Sequence, residues 1–170
     1  MAKPQPGDYS PFAQTYIDLT KDCEDAHTLI ERYSLSLNNF INSLPEAKAD
    51  YAYAEGKWTI KEVIQHIIDT ERIFGYRCLR IARKDTTVLP GFEQDDYVAT
   101  ANAHKRTLQS LKDEFTAVRK ASDLLIASLA EEQLAAAGTV NNYRVTANAY
   151  AYAIFGHALH HQQLIEARYL

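Results

Sequence analysis

The chain has 170 residues, 46% of them hydrophobic and 24% charged, with 18 Lys and Arg against 22 Asp and Glu for a formal net charge of −4. That length suits one domain with a sizeable core and is short for two. A negative balance without a Lys/Arg cluster argues against a nucleic-acid or anionic-lipid surface, and no stretch reaches the ~18 apolar residues of a membrane span.

Residues 1–11, rich in Pro and Gly, are expected to form a disordered or extended N-terminal arm, and residues 12–170 a single helical domain. The arm has no apolar run of the signal-peptide kind, so a cytoplasmic protein is expected. An apolar rhythm then steps by three and four through Tyr16, Leu19, Cys23, Ala26, Ile30, Tyr33, Leu37, Phe40 and Leu44, the seam of a helix packed at a shallow angle. A cap at Thr20 or Asp22 would split off a short first turn, and Pro45 ends the helix. His27 lies off the stripe and is expected in solvent. Cys23 and Cys78 lack a CxxC partner and read as small buried hydrophobes.

The second helix has a strong start. Thr59 and Glu62 form a capping box, and Trp58 is placed to staple onto Val63. Its stripe runs through Ile60, Val63, Ile64, Ile67, Phe74, Cys78 and Ile81 to about Lys84. A long loop over 85–98 carries the turn signal Pro90-Gly91. Its acids Glu93, Asp95 and Asp96 cluster where they could line the mouth of a site, or, the favoured reading, Asp95 and Asp96 cap a short helix. A third helix is expected from Thr100 or Asn102 to Leu129, with His104 exposed at its start. A short turn over 131–137 ends at Gly138, and Asn141-Asn142-Tyr143-Arg144 reads as another turn. Thr146 caps a fourth helix running nearly to the end. Apart from a short extended piece near Val145, no segment alternates with period two. The expected fold is all-α: a four-helix bundle with a long crossover loop between helices two and three.

The chemistry concentrates in the fourth helix, where His157, His160 and His161, half of the six histidines, fall within five positions. Residues four apart share a face. The helical wheel turns His157 and His161 inward and His160 away, toward the surface or a place just outside the ligands. Neutral imidazoles on the inner side of a bundle are hydrogen-bonded or bound to a metal, so the pair is either a candidate half-site or two satisfied core residues. The best third ligand is His66, at the flank of the second-helix stripe, where the wheel neither supports nor excludes it. Glu71 falls in the middle of that stripe, where an unpartnered carboxylate is costly. It reads as a metal ligand, a general base or an acceptor orienting a ligand imidazole, or equally as half of a buried ion pair with an Arg or Tyr of another helix. The HExxH and GxSxG motifs and a glycine-rich phosphate loop are absent.

Three stretches resemble one family. Gly56-Lys57-Trp58-Thr59-Ile60-Lys61-Glu62-Val63-Ile64-Gln65-His66-Ile67-Ile68-Asp69-Thr70-Glu71-Arg72 is similar to the second-helix motif of the DinB superfamily, particularly its YfiT-like branch. Leu89-Pro90-Gly91-Phe92-Glu93-Gln94-Asp95-Asp96-Tyr97 resembles the loop that follows, and Gly156-His157-Ala158-Leu159-His160-His161 the fourth-helix signature. Their order and spacing agree over nearly the whole chain from about Phe12. The resemblance implies a four-helix bundle with a long crossover and a metal triad of His66, His157 and His161. It implies zinc or nickel, and for some members a homodimer. Glu71 also falls on a Glu of the family motif. Members with an assigned activity are mostly metal-dependent thiol transferases or related thiol-using enzymes, and YfiT-like members are described as metal-dependent hydrolases.

Three histidines leave a coordination position open, the pattern of a catalytic site. The expectation is therefore an enzyme acting on a small molecule, either a hydrolase using activated water or an S-transferase using a low-molecular-weight thiol. His66, His157 and His161 would be its metal ligands, and Glu71 a catalytic proton acceptor or ligand orienter. The contrasting expectation is a non-enzymatic binding protein whose metal is structural or absent.

Overall fold

A computed structural model describes residues 2–170. The predicted first helix is broken. Helix α1 spans Gln14–Leu19, α2 Ala26–Leu29 and α3 Leu35–Ser43, with a π-turn over Ile30–Ser34 joining the last two. The cap after the break is Asp25, whose side chain accepts from the Thr28 backbone N–H at 2.8 Å. The two expected candidates, Thr20 and Asp22, do not serve. The Thr20 hydroxyl donates back to the Tyr16 and Ile17 carbonyls, which closes α1 instead of opening α2. Leu44 turns to extended backbone before Pro45, as expected of a residue that precedes proline.

Helix α4 spans Ile60–Ala82 and begins in the predicted capping box. The Thr59 N–H donates to Glu62 at 2.7 Å, and the Glu62 N–H donates to the Thr59 hydroxyl at 3.3 Å. Part of the expected long loop is helical, since α5 covers Gln94–Ala101. Its first turn carries Asp95 and Asp96, where free N–H groups and the helix dipole favour negative charge. Asn102, at a left-handed φ of 54°, ends it. Helix α6, Leu108–Ala127, starts at Thr107, later than the sequence suggested. Helix α7 follows over Glu131–Ala135.

The all-α expectation needs one correction. Strands β1, Ala137–Val140, and β2, Tyr143–Thr146, form an antiparallel hairpin. Its two-residue turn is Asn141-Asn142, both at positive φ (47° and 67°). That is the hairpin turn whose twist matches the strands and whose φ values asparagine tolerates. Four-residue strands are too short to announce themselves by alternation. The fold is mostly helical with this small sheet.

Helix α8, Ala147–Arg168, is capped by Thr146, whose hydroxyl accepts from the Ala149 N–H at 3.1 Å. It packs on α1, α3 and α4, and α4 packs in turn on α6. Every residue from Ala147 to Ala158 is buried, which is why small residues occupy so much of its first half. Gly156 has the tightest neighbour: a β-carbon there would lie 2.1 Å from the Tyr16 backbone oxygen. Residues 2–10 are irregular but tied down. Asn148 donates to the Ala2 carbonyl at 2.9 Å, and the Thr146 N–H donates to the Asp8 carbonyl at 2.9 Å. No helix among the described residues is long and apolar enough to cross a membrane.

Candidate metal centre

Helix α4 supplies His66 to the interface with α8, and α8 supplies His157 and His161 from successive turns. All three are buried. The His157 Nε2 lies 3.0 Å from the Nε2 of His66 and 3.2 Å from the Nε2 of His161. The three rings are packed with centroids 4.5–4.9 Å apart. Two more aromatic rings close over them. Trp58 lies 4.9 Å from His66, and Tyr16 lies edge-on to His157 at 5.3 Å.

The contacts at the His157 Nε2 decide what this cluster is suited for. A neutral imidazole nitrogen carries either one proton or one lone pair. It can therefore form one good hydrogen bond, not two. A single divalent ion accepts all three lone pairs at once. Ligand nitrogens ~2.1 Å from a tetrahedral ion stand roughly 3.4 Å apart, close to the observed separations. The three residues fit a metal ion by donor type, convergence and burial. One feature of a complete ligand sphere is lacking: the His161 Nδ1 is buried and finds no acceptor among the described residues, where a ligand imidazole ordinarily donates to one.

Burial also sets the protonation state. It pushes His66 down to about 4, with a smaller contribution from His160. It pushes His161 down to about 3, helped by His66 and His160, and holds His157 well below its ordinary value. All three are neutral at pH 7 and ready to ligate. Linkage gives the sign of a prediction. As pH falls below ~6.5 the unfolded chain takes up protons that the folded chain refuses until about 4 at His66 and about 3 at His161. Folding stability from these groups is therefore present above ~6.5 and lost as pH falls toward 4. Chelator-treated protein is expected to melt at a lower temperature at pH 5 than at pH 7, and His66→Gln to show a smaller difference. A melting temperature insensitive to His66→Gln at both pH values would contradict this.

His161 also lines a cleft of about 300 Å³ whose walls include Trp58, Lys57, Tyr53 and Asp95. Asp95 thus lines a cleft, the first of the readings its position left open. It lies in the first turn of α5 but does not cap it, since Glu93 holds the cap position and makes no side-chain capping hydrogen bond. His160 is half-buried, its ring 5.8 Å from Tyr16 and 5.1 Å from His161. His27 and His104 are exposed, as expected. Cys23 and Cys78 are buried thiols, Cys78 pushed up to about 12 by burial.

Glu71 does not join the histidines. Its Oε1 accepts from the Arg119 Nε at 2.9 Å, and the Arg119 Nη2 contacts the same oxygen, with both side chains almost wholly buried. Burial raises the Glu71 carboxyl and Arg119 opposes the rise. The geometry is that of the buried ion pair, the second of the two sequence readings. Arg119 is not among the residues expected at the site, yet it stands on the line Leu108, Leu111, Phe115, Arg119, Ser122, Ile126, all buried, so the signal that marks Glu71, a charge on an apolar stripe, is present on the partner helix as well.

Comparison with known proteins gives the same frame. The model of the DinB superfamily matches residues 35–165. A curated relative from Oceanobacillus iheyensis, named "Putative metal-dependent hydrolase OB0413", is 29% identical over 106 residues, spanning 60% of this chain and 61% of that relative's length. Among solved structures, YfiT from Bacillus subtilis, described as a probable metal-dependent hydrolase with an unusual four-helix bundle topology, superposes with a TM-score of 0.70 at 14% identity, covering 97% of this chain and 91% of YfiT. A mycothiol-dependent maleylpyruvate isomerase superposes with a TM-score of 0.62 at 13% identity, covering 86% of this chain and 62% of the isomerase. At these identities the two structures speak to the fold.

Proposed function

The chain belongs to the DinB superfamily, and from that premise we propose that it is a metal-dependent hydrolase of a small-molecule substrate, with His66, His157 and His161 as the ligands of one divalent ion, zinc or nickel. The observation that carries this reading is the convergence of three buried Nε2 atoms on one point at the wall of a cleft. A closed structural site has four protein ligands, whereas three leave a position for a reactant. An ion held there would supply Lewis acidity, polarising a carbonyl or lowering the pKa of a coordinated water toward ~7.

The chain's own residues do the rest. Trp58 stands against the His66 ring and Tyr16 against that of His157, and the cleft meets the cluster at His161. Lys57 and Asp95 stand at that opening, where they can orient a polar substrate. Glu71 enters the proposal as a positioning residue, since its contact with Arg119 ties α4 to α6 and so fixes the helix that carries His66. A second reading is S-transfer from a low-molecular-weight thiol, held as thiolate in the open position. The shared fold with the mycothiol-dependent isomerase favours it.

The two are separated by assay. Metal-loaded protein is expected to hydrolyse activated esters or amides in the absence of thiol, and His161→Ala to lose that activity. Turnover only when a thiol and an electrophile are both supplied would replace hydrolysis with S-transfer. A protein that binds metal but turns over in neither assay would leave the metal structural and the enzyme reading without support.

A further inference from the structure

A second cavity, of about 220 Å³, lies beyond the aromatic residues that flank His157. Tyr16 and Phe74 belong to both places. Each borders the cavity, and their rings stand 5.3 and 5.9 Å from the ring of His157. Neither His66, His157 nor His161 lines it. Its other walls include Phe92, Tyr143 and Tyr150, so aromatic rings supply much of the lining.

The single cationic group in this lining is Arg77, from α4, and it is 8% exposed. Its guanidinium lies 5.6 Å from the centre of the Phe92 ring and 6.0 Å from that of Tyr150. The Nη2 donates to the Pro90 carbonyl at 2.6 Å. No carboxylate among the described residues pairs with it, unlike the other deeply buried arginine, Arg119, which has Glu71. A guanidinium has five N–H donors in a planar fork. Arg77 commits one of them to the Pro90 carbonyl and turns another toward the Tyr150 hydroxyl. A buried charge without a counter-ion is costly, and the aromatic faces beside it offset only part of that cost. The remaining donors border a cavity lined mainly by aromatic and aliphatic side chains, and the chemistry that satisfies both is a planar anion with a flat apolar body. The fork geometry selects carboxylate. The volume selects one ring. It falls below the ~300 Å³ at which drug-sized sites begin, and above the ~150 Å³ of an engineered cavity that admits benzene.

We propose that this cavity is a binding site for a single-ring aromatic carboxylate, its carboxylate paired with Arg77 and its ring among Phe74, Phe92 and Tyr150. The site is distinct from the cleft at His161 and needs no metal. Its mouth is marked by Phe12, 76% exposed, and by exposed Gly91 and Asn141.

Calorimetric titration of chelator-treated protein with benzoate and with benzamide tests this. The two probes share a ring and differ in charge. Benzoate is expected to bind one site per chain, roughly tenfold or more tighter than benzamide, since a charged partner for a buried donor is what the neutral probe lacks. Arg77→Gln is expected to abolish the preference. His161→Ala is expected to keep it, whatever becomes of metal binding in that variant. Equal affinity for the two probes, or no binding of benzoate by the wild type, would overturn the proposal even if Arg77→Gln failed to fold. Loss of benzoate binding in folded His161→Ala would move the ligand to the histidine cleft and overturn it as well.

Discussion

Arg119→Met is expected to destabilise the protein by about 4 kcal/mol, because it leaves the Glu71 carboxylate buried without its counter-ion. Near this chain length a loss of that size lowers the melting temperature by roughly 8–16 °C. Methionine fills much of the volume of the arginine stem, so the loss reports the orphaned charge rather than a cavity. Two consequences distinguish this account from ordinary damage to the core. Burial already raises the Glu71 carboxyl in the wild type, with Arg119 opposing, and removing Arg119 leaves burial unopposed. The folded variant therefore binds a proton at Glu71 above the pH at which the unfolded chain does. Stability lost at neutral pH is recovered as pH falls toward the unfolded carboxyl value of ~4.3. The double variant Glu71→Leu with Arg119→Met is expected to regain most of the loss, since a buried ion pair replaced by apolar side chains of similar size is often neutral or stabilising. If the double variant were as unstable as the single one, the ion pair would not be the source of the effect. Metal content of the folded double variant further separates the roles of Glu71. Retention fits a residue that ties α4 to α6, and loss would restore it to the site.

Gly156→Ala is the second large effect. The added carbon would stand 2.1 Å from the Tyr16 carbonyl oxygen, 2.6 Å from its carbonyl carbon and 2.7 Å from its α-carbon. All three are backbone atoms, so no side chain can rotate away, and α1 must lift from α8. Overpacking of this kind costs about 3 kcal/mol, or roughly 6–12 °C in melting temperature for a chain of this length. Lifting α1 also withdraws the Tyr16 ring from His157 and His160 and uncovers one side of the cluster. Thermal melts of wild type and variant check the first part, and hydrogen exchange over residues 14–19 checks the second. A melting temperature within 2 °C of wild type would contradict the close approach of the two helices. Glycine at 156 is thus explained by the neighbour that its missing side chain admits.

Features set by residues near one another in the chain were legible without the structure. Thr59 with Glu62, Thr146 at the start of α8, Pro45 after α3 and the four-residue spacing of His157 and His161 all act within one helical turn. Features set across the fold were not. Nothing local distinguishes Asp25 from Asp22 as the cap that restarts the first helical region, because the break is fixed by how α1 lies on α8. The hairpin was half legible: Asn141-Asn142 announced a turn, but the strands on either side were too short to show a period. His66 sat at the edge of its stripe, and only the packing of α4 on α8 turns that edge inward. Glu71 stands out in the sequence as a carboxylate on an apolar stripe, but its partner does not, because a charge pair between helices leaves two separate anomalies and no sign that they belong together.

The central claim is that His66, His157 and His161 hold one divalent ion, and metal content per chain tests it most directly. Protein purified without a metal-affinity column and then equilibrated with zinc or nickel is expected to carry close to one equivalent. His66→Ala, His157→Ala and His161→Ala, each confirmed as folded by circular dichroism, are expected to carry almost none. A wild-type chain that holds no metal after equilibration, or folded variants that hold as much as the wild type, would contradict the account.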